Sequence, residues 1–190
     1  MKFIQDVIYC FILFVTITTN TYANTPDNVF KVVLADYKPY SWKTQTGKIT
    51  GLEVDILKEA IEKRMGIPIL FEIQPWKRAQ KNVEDGHADA IFAVPNKRRK
   101  EYTTINSEIL SFWGVSVFAN AKANKILELR KVKKIVELQN FRLASMIGNG
   151  WSEKNMKNMN VLWVVSMKQL LMLLEKDRIE VVADSPAVMH

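Results

Sequence analysis

The feature that most constrains the fold is a regular alternation of strand and helix patterns between residues 29 and 94. Residues 29–35 (VFKVVLA) are an apolar run typical of a buried strand. From residue 53 apolar side chains recur every three or four positions as far as Gly66, which indicates a helix with one buried stripe. A strand over 67–73, a short helix over 76–83 and a strand over 88–94 follow. This β-α-β-α-β order predicts a parallel sheet with helices on both faces.

A second unit of the same kind follows near residue 118. We predict strands over 112–119, 143–147, 161–165 and 179–183. Ser152 is positioned to cap a short helix, and Ser166 with Gln169 three residues later forms a capping box before a longer one. Ser185 and Pro186 are typical helix-starting residues. We therefore predict an α/β protein with a first unit over 24–118 and a second over 119–190.

The first 23 residues have the pattern of a secretory signal peptide. Lys2 precedes a short apolar stretch, and the segment ends in Thr21-Tyr22-Ala23. The alternative is an uncleaved membrane anchor, although the apolar stretch is shorter than a typical spanning helix. Cleavage after Ala23 would remove Cys10, the single cysteine of the chain. We therefore expect a periplasmic product that is not an integral membrane protein and has no disulfide.

The net charge of +7 admits nucleic acid, an anionic surface or an anionic ligand as partner. Nucleic acid is not favoured, because no paired Cys/His spacing, glycine-rich aromatic motif or arginine-rich tail accompanies the charge. Hydrolysis is not favoured either, since His87 and His190 are the only histidines and no metal-ligand cluster is visible. We expect no cofactor, no metal and no catalysis.

The residues at the carboxyl ends of the predicted strands suit a zwitterionic ligand, and ligands of open parallel sheets bind at these ends. A guanidinium can hold a carboxylate through two hydrogen bonds, an aspartate can hold an ammonium, and aromatic faces can hold a side chain. The residues that follow the strands are Tyr37, Tyr40, Trp76, Arg98, Arg99, Gly148, Asn149, Gly150, Trp151 and Asp184.

Each of these residues also has a purely structural interpretation. The four cationic positions 97–100 can form a solvated face, and the aromatic residues can be ordinary core or rim side chains. Gly148 and Gly150 can form a simple tight turn. Asp184 can be a helix cap and no more, or it can cap a helix and bind a ligand. Their shared location at strand ends is what favours a binding site.

Three stretches resemble the bacterial extracellular solute-binding proteins of family 3, which bind polar amino acids in the periplasm for ABC transporters. The stretches are YKPYSWKTQTGKITGLEVDILKEAIEKRMG, PWKRAQKNVEDGHADAIFAV and SMKQLLMLLEKDRIEVVADSPAV. The resemblance implies a two-lobe periplasmic binding protein-like fold of type II. It also implies a small-molecule ligand, most simply a polar amino acid, and ABC transporter membrane subunits as partners.

The resemblance also implies roles for individual residues. An arginine after the third strand would grip the ligand carboxylate, and this is Arg99 or, if the loop is one residue shorter, Arg98. Asp184 would bind the ammonium group, Tyr37 and Trp76 would supply rings, and the loop of Gly148, Asn149, Gly150 and Trp151 would contact the carboxyl group.

The chain also departs from the family pattern. Ala93, Val94 and Pro95 stand where hydroxyl residues usually precede the arginine. The family chain continues beyond the Asp-Ser-Pro segment and returns to lobe one, so we expect the C-terminal part of lobe one to be missing and residues 24–190 to be marginally folded. Alternative functions are a truncated inactive fragment, a ligand-sensing module and a dehydratase on the same fold.

Overall fold

The computed structural model describes residues 29–189, so the predicted signal peptide lies outside the described residues. The strands are β1 (Phe30–Leu34), β2 (Trp42–Lys43), β3 (Ile49–Thr50), β4 (Ile69–Ile73), β5 (Ala90–Ile91), β6 (Ser116–Phe118), β7 (Leu143–Met146), β8 (Val161–Val164) and β9 (Val181–Asp184). The α-helices are α1 (Leu52–Leu57), α2 (Trp76–Glu84), α3 (Ile126–Leu129), α4 (Gly150–Asn155) and α5 (Met167–Glu175). Helix α1 continues as a π-helix over Lys58–Arg64, and 3₁₀ turns cover Arg99–Glu101, Ile135–Asn140 and Pro186–Val188.

The first sheet has the predicted parallel arrangement, with strand order β4-β1-β5. Val32 and Leu34 of β1 pack against Val54 and Leu57 of α1 on one face. On the other face, Val33 packs against Ala79 and Val83 of α2. Successive side chains of a strand point to opposite faces, so one buried apolar strand binds a helix on each side. Strands β2 and β3 form a separate antiparallel hairpin.

The second sheet has the order β6-β9-β7-β8, in which β6 pairs antiparallel with β9 and the other pairs are parallel. Strands β7 and β9 are buried at every position. Ala144 and Met146 lie in one core with Leu170 and Leu174 of α5. Leu143 and Val181 lie in another core with Leu138 and Met156. The two central strands are thus covered on both sides.

Several predicted elements are shorter in the structure. The strand predicted over 88–94 is β5, which covers only Ala90–Ile91, and residues 92–96 leave the sheet and line a cleft. The strand predicted over 112–119 is β6, Ser116–Phe118. The predicted limits of the two units stay a prediction. Strand β6 nevertheless hydrogen-bonds to β9 of the second sheet, which favours a boundary before Ser116.

The prediction that Ser152 caps a helix is wrong, because Asn149 is the N-cap of α4. Its Oδ1 accepts hydrogen bonds from the backbone N–H groups of Trp151 (3.1 Å) and Ser152 (3.2 Å). Ser152 is buried, and its hydroxyl bonds that of Ser145 at 2.7 Å. The Ser166 cap of α5 is present, since Ser166 Oγ accepts from Gln169 N at 3.2 Å.

Candidate functional site

A cleft of about 600 Å³ lies where the carboxyl ends of the two sheets face each other. Residues of both sheets and of the irregular segments 92–97 and 113–115 line it. Seven of the nine residues predicted for the site are among them: Tyr37, Trp76, Arg99, Asn149, Gly150, Trp151 and Asp184. The other two, Arg98 and Gly148, are not among the lining residues.

Arg99 supplies a buried cation to one wall of the cleft, with 6% of its surface exposed. Its Nε donates to Gln80 Oε1 at 3.1 Å, Nη1 to the Val94 carbonyl at 2.6 Å, and Nη2 to the Gly148 carbonyl at 3.2 Å. The guanidinium also lies 5.2 Å from the ring centroid of Trp76. Burial lowers the pKa of Arg99 below its usual value, but a guanidinium stays protonated. Its five N–H groups make three of these bonds, which leaves donors for a ligand.

Arg98 points away from the cleft. Its side chain is 67% exposed and lies 3.7 Å from Glu84 Oε2. Arg99, by contrast, has no carboxylate within 4.0 Å among residues 29–189. Of the two arginines that the sequence leaves as alternatives, the structure places Arg99 in the cleft. The solvated-face interpretation fits Arg98 and Lys100, which are exposed, but not Arg99.

Asp184 supplies a carboxylate to the cleft wall at the end of β9, and it is only 5% exposed. Its Oδ1 accepts hydrogen bonds from the Tyr37 hydroxyl and from the Ser185 amide, the latter at 2.7 Å. Oδ2 has no hydrogen-bond partner among the residues described. Burial raises the pKa of Asp184, and burial together with the Asp184 charge raises the pKa of Tyr37 well above its usual value.

The helix-cap interpretation of Asp184 does not fit the structure. The N-cap of the 3₁₀ turn Pro186–Val188 is Ser185, and the Asp184 carboxylate reaches across to Tyr37 instead. A second hydrogen bond joins the same regions, because the hydroxyls of Tyr40 and Ser185 lie 3.0 Å apart. Both tyrosines come from the loop after β1, so two aromatic hydroxyls join the first unit to the end of β9.

An aromatic cluster forms one side of the cleft. The rings of Tyr37 and Tyr40 are stacked at 5.6 Å between centroids, and Trp113 lies 5.9 Å from Tyr37 and 5.0 Å from Tyr40. Phe92 stacks on Trp113 at 6.5 Å between centroids. The indole N–H of Trp113 is buried and has no hydrogen-bond partner within residues 29–189. A ligand acceptor in the cleft is one group that would satisfy it.

Glu53 is a second acidic residue of the cleft, and sequence reasoning missed both it and Trp113. Glu53 is 3% exposed, and its Oε2 accepts a hydrogen bond from Ser41 Oγ at 3.1 Å. Burial raises the pKa of Glu53 to about 7, against the opposing effect of the Ser41 bond. The helical spacing could have shown that Glu53 is buried, since it precedes the buried Leu57 by four residues and so shares its helix face. No comparable pattern marks Trp113, which lies in an irregular segment.

The loop after β7 brings the two units into contact at one carbonyl group. The Gly148 carbonyl accepts from Trp76 Nε1 at 2.9 Å, Gln80 Nε2 at 3.3 Å and Arg99 Nη2 at 3.2 Å. Gly148 has φ +84°, and a Cβ there would lie 2.6 Å from Gln80 Nε2. A simple tight turn does not require that space, so the glycine permits a close approach between units.

The residues of this loop differ in their positions, and their contact with a ligand stays a prediction. The amides of Trp151 and Ser152 are bound to the Asn149 side chain, and the Gly148 carbonyl is bound to the first unit. Asn149, Gly150 and Trp151 line the cleft, while Gly148 acts as the contact between units. Exposed Lys97 and Lys154 also line the cleft, one from each unit.

Comparisons with known proteins show the family and the fold of this chain. The family model of the bacterial extracellular solute-binding proteins, family 3, matches residues 31–161. A search of curated protein sequences found no significant match. Within residues 29–189, no helix combines the length and the apolar character needed to cross a membrane.

Solved structures match the fold at low sequence identity. An ancestral arginine-binding protein bound to arginine has a TM-score of 0.72 and 18% identity, covering 85% of this chain and 71% of that one. The holo form of ArgBP from T. maritima has a TM-score of 0.72 and 19% identity, covering 85% and 70%. An ancestral amino acid-binding protein, described as a precursor of cyclohexadienyl dehydratase, has a TM-score of 0.68 and 19% identity. That match covers 85% of this chain and 72% of the other. The chain has the two-lobe type II periplasmic binding protein fold and belongs to the bacterial extracellular solute-binding proteins of family 3.

Proposed function

We propose that this protein captures a small zwitterionic solute, an amino acid or a closely related organic anion, in the cleft between its lobes. It binds this solute without changing it chemically. After export and cleavage behind Ala23 it works in the periplasm and delivers the solute to the membrane subunits of an ABC transporter.

The observation that carries the proposal is the pairing of opposite charges across one cleft. Arg99 is buried without a carboxylate partner among the described residues, and Asp184 is buried with one oxygen lacking a hydrogen-bond partner there. A buried charge without a counter-charge is costly, so a ligand that brings the missing partner gains binding energy. An amino acid supplies a carboxylate for Arg99 and an ammonium for Asp184.

The wall around Arg99 is apolar, and this affects how a ligand carboxylate can be bound. Ala93, Val94 and Pro95 line the cleft where hydroxyl donors would otherwise assist the arginine. The carboxylate therefore depends on Arg99 to an unusual degree. The aromatic cluster of Tyr37, Tyr40, Phe92 and Trp113 suits the methylene groups of a side chain.

Two of the structural matches support the ligand class by analogy. One is an ancestral arginine-binding protein bound to arginine and another is the same kind of protein bound to glutamine. At 18% identity these proteins share the fold with this chain, and the ligand class is carried over only as part of the proposal.

Titration calorimetry of the full chain against a panel of the twenty amino acids and small organic acids tests the proposal. We expect saturable binding of at least one member, and we expect mass spectrometry to recover that ligand unchanged. Arg99→Ala should weaken binding by about 2–5 kcal/mol, because it removes a buried charged partner.

Lys97→Ala is the matched control, since it removes an exposed cation from the same cleft. It should change the affinity by less than about 1 kcal/mol. Equal losses in the two variants, or no binding across the panel, would contradict the proposal. Chemical conversion of a ligand by the protein would show that it is an enzyme and not only a binding protein.

A further inference from the structure

A basic and partly apolar surface covers the outside of the second lobe, remote from the cleft. It is formed by residues 122–136, which we call the basic surface (KANKILELRKVKKIV). The segment contains six cationic residues and a single acidic residue, Glu128. None of its residues lines the cleft. Whatever binds here is therefore independent of the solute that binds between the lobes.

The side chains of the segment divide into an inner and an outer set. Leu129 and Val132 pack against the core of Leu138, Phe141 and Met156, which fixes the segment to the lobe. The outer set is exposed and comprises Lys122, Asn124, Leu127, Glu128, Arg130, Lys131, Lys133, Lys134, Ile135 and Val136. The outer surface thus mixes five cations and three aliphatic side chains with the single carboxylate of Glu128.

The charges of the outer set are not neutralised by the lobe itself. Within residues 29–189 none of these five cations forms an ion pair within 4.0 Å, whereas Lys125 of the same segment lies 3.6 Å from Glu180. The backbone N–H groups of Lys133 and Lys134 donate hydrogen bonds to Glu137 Oε2, at 2.7 Å and 3.1 Å. Their ammonium groups remain available.

The aliphatic side chains of the outer set are exposed to solvent. Leu127 is 68% exposed, Val136 is 56% exposed and Ile135 is 39% exposed. Scattered apolar residues are common on protein surfaces, but here they lie on both sides of four cations within one segment. A surface with cations around short apolar side chains matches the headgroup region of a bilayer, where cations meet phosphates and apolar groups reach the acyl boundary.

We propose that the basic surface is a docking site for a bilayer rich in anionic phospholipid. Two features favour a lipid surface over an acidic protein. Four of the five exposed cations are lysines, and lysine is depleted at protein interfaces while arginine and aromatic residues are enriched. The outer set contains no aromatic residue that could anchor a protein partner. Diffuse attraction by lysines needs no fixed geometry in the partner, which fits a fluid array of phosphates.

Vesicle co-sedimentation of the full chain tests the proposal. The probes are vesicles of phosphatidylglycerol mixed with phosphatidylcholine and vesicles of phosphatidylcholine alone. We expect stronger partitioning to the anionic vesicles, weakening as salt is raised. The triple variant Lys131→Gln, Lys133→Gln and Lys134→Gln should lower partitioning to anionic vesicles by about 100-fold, because each lysine contributes roughly fivefold near such a surface.

A matched control removes three exposed lysines of the first lobe by Lys43→Gln, Lys48→Gln and Lys77→Gln. It lowers the net charge equally and leaves the N-terminal residues unchanged, so any membrane affinity of the N-terminus is common to both variants. We expect less than about a threefold change in the control. Leu127→Ser should weaken the binding that remains at high salt, with circular dichroism confirming that each variant is folded.

Four outcomes would overturn the proposal. An equal loss of partitioning in the two triple variants would mean that net charge alone is responsible. Binding to neutral vesicles as strong as binding to anionic ones would show that the lipid charge is not recognised. Binding of polyglutamate without binding of anionic vesicles would assign the basic surface to an acidic protein. Binding of free glycerol phosphate as strong as that of vesicles would assign it to a small phosphate ligand.

Discussion

The two walls of the cleft hold opposite charges by different means. Asp184 ends β9, a strand buried at every position, and its carboxylate is bound by one backbone amide and one tyrosine. Arg99 begins a three-residue 3₁₀ turn beyond the sheet, and hydrogen bonds to Gln80, Val94 and Gly148 hold it. The acceptor is therefore fixed by the packing of a sheet, and the cation by a small network. We expect substitutions in the network to affect ligand binding, while Asp184 stays in place.

The largest expected effect concerns pH, because the carboxyl groups of the cleft titrate and the guanidinium does not. Burial raises the pKa of Glu53 to about 7 and raises that of Asp184 as well. Between the usual carboxyl pKa and about 7, the folded state therefore binds more protons than the unfolded state. The free energy of unfolding should fall as pH rises through this window, by about 3 kcal/mol for Glu53, and level off above it.

Denaturant unfolding at several pH values measures this dependence. Glu53→Gln keeps an acceptor for Ser41 Oγ but cannot ionise, so the fall should be much smaller in the variant. The exposed Glu62→Gln serves as control and should leave the pH profile unchanged. A Glu53→Gln profile identical to that of the original protein would mean that Glu53 is not held in the buried position described.

A smaller effect is expected where the two walls touch. Gly148→Ala places a Cβ 2.6 Å from Gln80 Nε2 in a residue with φ +84°, so it combines backbone strain with displacement of the Gln80 amide, which bonds Arg99 and the Gly148 carbonyl. Gly86 has φ +74° and nothing within 4 Å of an added Cβ, which makes Gly86→Ala a control for the strain alone. We expect Gly148→Ala to cost about 2 kcal/mol of stability and Gly86→Ala about 1 kcal/mol.

Ligand affinity separates the two glycine variants further. Gly148→Ala should weaken solute binding, since it pushes the loop of the second lobe away from Arg99, whereas Gly86→Ala should not. Calorimetry on both variants measures this. The same affinity in both would show that the contact at the Gly148 carbonyl has no role in assembling the cleft.

The smallest effect should come from the network that orients Arg99. Gln80→Leu removes the acceptor for Arg99 Nε and one donor to the Gly148 carbonyl, with little change in volume. We expect solute affinity to fall by about 1–2 kcal/mol, because a misplaced guanidinium loses part of its geometry toward a carboxylate. Gln139→Leu, on an exposed 3₁₀ turn, is the control. Equal effects in the two variants would mean that Arg99 needs no support from Gln80.

Periodicity and strand order predicted the parts of this molecule that depend on local pattern. The parallel first sheet follows from apolar runs alternating with a helical stripe, and the strand-end rule placed Tyr37, Trp76 and Asp184 near one cleft. Strand β5 was overestimated because its apolar run continues through Ala93 and Val94, which line the cleft instead. An apolar composition does not distinguish a strand from the wall of a cavity.

Adjacent residues of similar chemistry were beyond the reach of sequence reasoning. Arg98 and Arg99 differ only in direction, since one residue of a 3₁₀ turn rotates the side chain by about 120°. Whether Gly148 forms a turn or a contact depends on Gln80 and Trp76, which lie far away in the chain. Trp113 joins the aromatic cluster through tertiary packing alone.

In the function proposed here, Arg99 binds a ligand carboxylate while Asp184 binds the ammonium group of the same molecule. The most direct test is a cycle with the amino acid that binds tightest in calorimetry and its carboxamide, measured on the original protein and on Arg99→Ala. We expect that neutralising the carboxylate costs the original protein about 2–5 kcal/mol of binding free energy and costs Arg99→Ala less than about 1 kcal/mol. The same cost in both proteins would contradict it, because the carboxylate would then be bound elsewhere.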